Sequence, residues 1–193
     1  MEEFTKVLSI LDRANVLGSR TLENGTRLIG PAPHVAPSAW LHQVFAPLSD
    51  REIVQVEQQV QRPLPLNFKD FLKVSNGLRI FSGSLNIYGL RSSYVRSGDA
   101  VWQPFSIDTP NTSERPKDAK ESYVFVGGYS QDGSKLVIDT ETSKAFRCMR
   151  YTSQPVNEWA SFEEMLITET IRIGLLFNEE GKQIDPKEPR TPS

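Results

Sequence analysis

The sequence predicts an α+β protein in which helices pack mainly on one face of a twisted antiparallel sheet. Two short amphipathic helices are indicated between Ser49 and Gly77, three strand-like segments follow one another between Tyr123 and Arg150, and a further amphipathic helix follows Ser161. Short turns between strands favour antiparallel pairing, because a parallel crossover needs a dozen or more connecting residues. The 193 residues suit one domain with additions.

The first 47 residues precede the helical pair and carry three signals. Apolar residues at helical spacing predict a first helix that ends within residues 15–18; they are Phe4, Val7, Leu8 and Leu11. Asn24-Gly25 between two short strand candidates predicts a hairpin, because both residues tolerate positive φ. Four prolines then oppose regular structure, and we expect Trp40, Leu41, Val44 and Phe45 to pack as a short helix in an ordered lead-in.

The helical pair has clear start and stop signals. Ser49 followed three residues later by Glu52 forms a capping box, in which each side chain bonds the other's backbone N–H. Pro65 suits the first turn of the second helix, and Asn76-Gly77 predicts a left-handed stop. The apolar stripes are Ile53, Val56 and Val60 in the first helix and Phe68, Phe71 and Leu72 in the second.

The remaining chain alternates strand and turn signals until a closing helix. Strands are predicted at 78–81, 85–90, 123–126, 135–139 and 145–150, and an exposed loop at 108–121. Ser161 and Glu164 predict a second capping box for a helix with Phe162, Met165, Leu166 and Ile173 on its apolar face. We divide the chain into an N-terminal addition (1–47), a core domain (48–177) and a polar, frayed tail (178–193).

Several of these motifs occur in an order and spacing that resemble the SUKH superfamily, the Smi/Knr-type domain. They are Leu48-Ser49 with Glu52-Ile53, Leu64-Pro65, Phe68, Phe71-Leu72, Asn76-Gly77, Gly127-Gly128, Asp132-Gly133, Leu136 to Asp139, and Trp159 to Leu166. The resemblance spans about Leu48 to Gly174 and implies a SUKH-like fold. It also implies a non-catalytic immunity protein whose partner is a cognate bacterial toxin domain, such as a nuclease or a nucleic-acid deaminase. The alternative from the same superfamily is a regulatory protein-interaction scaffold.

Candidate catalytic and metal-binding groups have structural explanations in the sequence. The segment 128–135, GYSQDGSK, lacks the lysine-then-serine order that a phosphate-binding loop needs, and an Asp-Gly hairpin turn explains it. His34 and His42 have no partner at zinc spacing. Cys148 alternates with Phe146 on a predicted strand, which favours an inert thiol. The sequence therefore predicts no enzyme activity, no metal and no cofactor.

The composition limits the partner and the location. A net charge of −2 shows no basic excess of the kind that direct nucleic-acid binding requires. The acidic start lacks the features of a secretory signal, no apolar run could span a membrane, and a single cysteine suits a reducing compartment. We expect a cytoplasmic protein with no membrane partner, and the sequence leaves self-association open.

Aromatic and charged side chains near strand ends and turns are the candidate partner-binding residues. Aromatic residues and arginine are enriched where proteins bind each other, because they bury area and keep directional polar contacts. The candidates are Arg79, Tyr88, Arg91, Tyr94, Arg96, Trp102, Tyr129 and Asp132. Core packing is the alternative explanation for each aromatic residue.

Overall fold

A computed structural model describes residues 2–95 and 97–193 and confirms the α+β class. The described residues form one antiparallel sheet of nine strands, in which each strand pairs with its neighbours in sequence. The strands are β1 (Ser19–Thr21), β2 (Arg27–Pro31), β3 (Trp40–Val44), β4 (Leu78–Ile80), β5 (Leu85–Ile87), β6 (Tyr123–Tyr129), β7 (Lys135–Asp139), β8 (Ala145–Cys148) and β9 (Pro155–Trp159). The helices are α1 (Glu2–Asp12), α2 (Asp50–Val60), α3 (Leu66–Leu72), α4 (Asp108–Asn111) and α5 (Phe162–Gly174), with 3₁₀ turns at Arg13–Leu17 and Asp99–Val101.

The main core lies between one face of this sheet and helices α1, α2, α3 and α5. Four buried phenylalanines from α1, α3 and α5 contact one another at its centre, with ring centroids between 5.3 and 6.0 Å apart; they are Phe4, Phe68, Phe71 and Phe162. Alternate sheet residues such as Leu78, Ile80 and Leu136 meet these helices. A smaller cluster lies on the opposite face and contains Tyr123, Phe125, Val137, Phe146 and Cys148. No helix in the described part of the chain is both long and apolar enough to cross a membrane.

The first predicted capping box is present, whereas the second is incomplete. The Glu52 amide donates to Ser49 Oγ at 3.4 Å, and the Ser49 amide donates to Glu52 Oε2 at 2.8 Å. At α5 the Glu164 amide donates to Ser161 Oγ at 3.1 Å, but the Glu164 carboxylate accepts from the Ala160 amide instead of the Ser161 amide. Both serines therefore cap the start of a helix, but only Ser49 also has its backbone N–H bonded by the glutamate of the capping box.

Two predictions about local structure in the first half of the chain are wrong. Residues 40–45 begin with strand β3 instead of a helix, because β2 and β4 each offer this segment a pairing edge, with Ile29 opposite His42 and Leu78 opposite Val44. Asn76-Gly77 does not stop α3, which ends at Leu72. Asn76 instead pairs with Leu90, donating to its carbonyl at 2.9 Å and accepting from its amide at 2.7 Å.

The second half contains two elements that the sequence reading missed. Strand β9 pairs with β8, and α4 lies inside the segment predicted as an exposed loop. Asn111 in α4 is 2 % exposed and bonds the β6 backbone, donating to Phe125 O at 2.7 Å and accepting from Phe125 N at 2.9 Å. One side of this loop is therefore anchored to the sheet.

The C-terminal tail is hydrogen-bonded to the domain instead of being frayed. Arg172 donates to the Arg190 carbonyl at 2.6 Å, and Arg147 donates to the Pro192 carbonyl at 2.7 Å. Asn157 donates to Ser193 O at 3.1 Å. Arg172 of α5 and Arg147 of β8 thus hold the tail against the helix and the sheet.

The buried histidine of β3 makes stability depend on pH. His42 is 2 % exposed, and its Nδ1 accepts a hydrogen bond from the Phe81 amide at 3.3 Å, which requires this nitrogen to be unprotonated. Burial lowers the pKa of His42 from 6.5 to about 3. The unfolded chain binds a proton here that the folded chain does not, so stability is lost as pH falls below the unfolded pKa. We expect His42 to lower the free energy of unfolding by about 1 kcal/mol when the pH falls from about 6 to about 5.

Urea unfolding of the wild type and of His42→Gln at these two pH values measures this contribution. The variant should lose less stability than the wild type on acidification. His34→Gln is the matched control, because it removes a histidine whose side chain is exposed. Equal losses in the wild type and in His42→Gln would contradict the assignment.

Candidate partner-binding face

The sheet face away from the main core carries a row of residues, one from each of strands β1 to β8. Strand register places them opposite one another in the order Arg20, Leu28, Gln43, Arg79, Asn86, Gly128, Lys135 and Cys148. Neighbouring strands lie about 4.8 Å apart, so the row crosses almost the full width of the sheet. Its middle is polar. The row from Gln43 to Lys135 is bordered by segments 88–95 and 97–118 and by the β8–β9 turn. We call the surface that these residues form together the open face.

Three adjoining hollows lie on the open face. The first, of about 380 Å³, includes Tyr88, Tyr94, Phe105 and Lys135 in its lining. The second, of about 530 Å³, shares Glu114 and Lys135 with the first and extends to Asp132, Arg150 and Tyr151. The third, of about 270 Å³, shares Arg91 and Phe105 with the first and extends to Arg79 and Trp102. Together they form a continuous, uneven surface with both aromatic and charged groups.

The predicted partner-binding residues gather at these hollows although they come from separate segments. The hollows are lined by Arg79, Tyr88, Arg91, Tyr94, Trp102, Tyr129 and Asp132. The eighth candidate, Arg96, lies outside the described residues. Their convergence makes one contiguous interface possible, and their role in binding stays a prediction.

Two of these seven residues have their polar groups committed to other contacts. The Tyr129 hydroxyl donates to Glu169 Oε2 of α5 at 2.6 Å, on the helix side of the sheet, and burial, reinforced by Glu169, raises the pKa of Tyr129. Asp132 accepts from Arg147 at 2.6 Å and from the Ser134 hydroxyl at 2.7 Å. Tyr129 and Asp132 therefore support the β6–β7 hairpin. Tyr88 is buried, so Arg79, Arg91, Tyr94 and Trp102 are the candidates better placed for a partner.

The segment that borders the first and third hollows is held by its own hydrogen bonds. Arg91 Nε donates to Ser93 O at 3.1 Å, and its guanidinium lies 5.0 Å from the centroid of the Tyr94 ring. Gln103 Oε1 accepts from the Ser92 and Ser93 amides, each at 3.0 Å. These contacts fix the cation and the ring at the surface, which reduces the conformational entropy that binding would cost.

A glycine allows Tyr88 to lie directly on the sheet. A Cβ atom at Gly128 would come within 2.9 Å of the Tyr88 hydroxyl and 2.6 Å of the Ser134 carbonyl oxygen. The Lys135 ammonium lies 5.6 Å from the Tyr88 ring centroid and donates to its hydroxyl at 3.4 Å. Burial raises the pKa of Tyr88, and the hydroxyl thus remains a neutral donor and acceptor.

The sequence reading missed three charged residues of the open face: Glu114, Lys135 and Arg150. Lys135 is half-buried, and burial lowers its pKa while Glu114 acts in the opposite direction. Strand alternation could have indicated Lys135, because its neighbours Leu136 and Ile138 belong to the main core and Lys135 therefore faces the other side. Glu114 and Arg150 carry no such signal, since their positions depend on loop geometry.

The described residues offer no obvious catalytic arrangement on this face. They contain no group of three His, Cys, Asp or Glu side chains that could hold a metal ion. The thiol of Cys148 is fully buried and donates to Ser153 O at 3.2 Å, and burial raises its pKa to about 12. A thiol in this state is a poor nucleophile at neutral pH. The geometry is suited to contact with a partner.

Comparison with known proteins places most of this architecture in one family. The model of the SMI1/KNR4 family (SUKH-1) matches residues 47–168, which run from just before α2 into α5 and include most of the open face. No curated protein matches the chain. Because the family model covers more than half of the sequence, and the fold carries its predicted helical pair, hairpins and closing helix, the chain belongs to the SMI1/KNR4 family (SUKH-1).

Proposed function

We propose that this protein is an immunity protein that binds a cognate bacterial toxin through the open face and neutralises it stoichiometrically. Membership of a superfamily that includes immunity proteins supports this function. The observation that carries the placement is the convergence of Arg79, Arg91, Tyr94 and Trp102 on one uneven surface. Aromatic and arginine side chains of this kind often anchor protein interfaces.

Inhibition on this proposal needs no chemistry from the immunity protein. The bound domain blocks access to the toxin's active site, and a nuclease or a nucleic-acid deaminase is the proposed toxin class. The complex forms in the cytoplasm, where such a toxin would find its substrate. The N-terminal addition, residues 1–47, contributes to the binding surface, because Ser38 is exposed and lines the third hollow.

The proposal is tested by co-purification with the C-terminal domain of a secreted toxin encoded beside this protein, followed by titration of the toxin's activity. Inhibition should reach completion at a fixed molar ratio. Trp102→Ala should weaken the complex at least about tenfold, because truncation of an aromatic anchor commonly costs more than about 1.4 kcal/mol. Calorimetry measures the affinity, and thermal melting checks the fold.

Leu175→Ala is the matched control for Trp102→Ala, because Leu175 is an exposed apolar residue at the end of α5 on the helix side. Its affinity should equal that of the wild type. Unchanged affinity in Trp102→Ala would argue against this location of the interface. Reproducible capture of several cytoplasmic proteins, without toxin inhibition, would instead favour a regulatory scaffold.

A further inference from the structure

Four cations line the hollows of the open face and form no ion pair with a carboxylate of the described residues: Arg79, Arg91, Lys135 and Arg150. Cations on the helix side are paired in several places, as in Lys69 with Glu57 at 2.5 Å and Lys73 with Asp50 at 2.8 Å. The open face thus keeps its positive charges available.

Aromatic rings hold these four cations in place. The distances from each cation to its ring centroid are 5.6 Å for Arg79 over Phe105, 5.0 Å for Arg91 over Tyr94, 5.6 Å for Lys135 over Tyr88 and 4.6 Å for Arg150 over Tyr151. A ring contacts the flat side of a guanidinium and leaves its N–H donors free at the edge, where a carboxylate can bind in a bidentate manner. Within the described residues, the Arg79 and Arg150 side chains donate no hydrogen bond.

The local charge balance is opposite in sign to that of the whole chain. The three hollows contain these four cations and two carboxylates, Glu114 and Asp132. Asp132 is already paired with Arg147 at 2.6 Å, which leaves Glu114 as the other carboxylate. The whole chain carries a net charge of −2. A positive surface on a slightly acidic protein favours a partner with complementary charge.

We propose that the open face binds an acidic protein surface, whose Asp and Glu carboxylates pair with Arg79, Arg91, Lys135 and Arg150. The inference rests on the proposed function for the identity of the partner, a toxin domain, and it adds the charge of the toxin surface that is recognised. Burial of these ion pairs in the interface would strengthen them, because water would no longer screen their charges. The aromatic rings beside the cations supply the apolar contact area.

A nucleic-acid partner fits these observations less well. Nucleic-acid binders neutralise a continuous line of phosphates and carry a clear basic excess. Here the four cations are spread over three adjoining hollows with Glu114 among them, and the chain as a whole would repel a polyanion. Scattered carboxylates on a folded protein match this pattern better.

Titration of the isotopically labelled full chain tests the charge preference without a toxin. Three probes are used: a glutamate-rich peptide, a glutamine-rich peptide of the same length, and a single-stranded oligodeoxynucleotide with the same charge as the glutamate-rich peptide. NMR at low salt follows each titration. The glutamate-rich peptide should shift amide signals of the open face and lose affinity as salt rises to about 0.15 M. The glutamine-rich peptide should leave those signals unchanged.

Variants identify the groups responsible. Lys135→Gln with Arg150→Gln should lower the peptide affinity about fivefold, the loss expected for two partly exposed ion pairs. Arg13→Gln is the matched control, because Arg13 is an exposed arginine on the helix side that forms no ion pair with the described residues. Its affinity should stay within about twofold of the wild type. Each variant's melting curve verifies that it is folded.

The outcomes separate this inference from the proposed function. Equal or tighter binding of the oligonucleotide, or peptide shifts that spare the open face, overturns the acidic-partner inference even if a toxin is inhibited. If the glutamate-rich peptide shifts signals of the open face but no toxin binds, the acidic-partner inference is supported and the proposed immunity function is rejected. In a toxin complex, Arg150→Glu should weaken binding at least about tenfold, and reversing the contacting toxin carboxylate to lysine should restore it.

Discussion

Phe71→Ala is expected to destabilise the protein by about 3–5 kcal/mol. Phe71 is 2 % exposed, and its ring centroid lies 5.4 Å from Phe4, 5.8 Å from Phe68 and 5.4 Å from Phe162. Truncation opens a cavity between three helices, and none of the remaining rings can fill it without leaving its own contacts. Urea unfolding at neutral pH measures the loss in the free energy of unfolding.

Phe105→Ala provides the matched control for this change. Phe105 is 46 % exposed on the open face, and its removal should cost less than about 1 kcal/mol, because it leaves no enclosed cavity. If Phe71→Ala lowers the free energy of unfolding by less than about 1 kcal/mol, this ring is not part of the core. Equal losses in Phe71→Ala and Phe105→Ala would lead to the same conclusion.

Gly77→Ala is expected to cost about 3 kcal/mol, for two separate reasons. Gly77 has a φ of +88°, and an L-residue in this region costs about 1–2 kcal/mol. Its added Cβ would also lie 2.5 Å from the Ile87 carbonyl oxygen and 3.2 Å from the Tyr88 carbonyl carbon. Both are backbone atoms, so β5 would have to move, and overpacking of this kind costs about 1–3 kcal/mol. Thermal and urea unfolding measure the effect.

Gly98→Ala separates the two causes. Gly98 has a φ of +65°, but no atom of the described residues lies within 4 Å of the position that an added Cβ would take. Because its ψ of −166° places Gly98 in a region that is essentially restricted to glycine, the variant carries a conformational cost of about 1–2 kcal/mol without the clash. Equal losses at Gly77 and Gly98 would mean that the approach of Gly77 to β5 has no energetic consequence.

Elements with local signals could be predicted from the sequence, whereas elements that depend on a pairing partner could not. The capping serine of α2, the turn around Gly83 and the hairpin at Gly133 are encoded within a few residues. Strand β9 starts with a proline and is largely exposed, so its sequence pattern predicts a strand only weakly. Pairing with the edge of β8 makes this segment a strand. Strand β3 likewise became a strand because it lies between two others.

The open face shows the same division. Tyr94 follows Arg91 closely in the sequence, and such a pair can be proposed without a structure. Lys135 and Tyr88 are far apart, and only the register of β5, β6 and β7 brings them together. Composition therefore indicated which residue types form an interface, and the strand register determined which of them share a surface.

The contact between the first helix and the last has a consequence during synthesis of the chain. Each strand pairs with the strand made just before it, so the sheet can grow hairpin by hairpin, with short loops to close. Phe4, however, meets Phe162 of α5, which the ribosome makes only after the nine described strands. Until then α1 can contact α3 through Phe71 but lacks α5, and its apolar face is incompletely covered on the nascent chain. Completion of the core is thus a late event, and the interval before it is when the chain is most prone to aggregate.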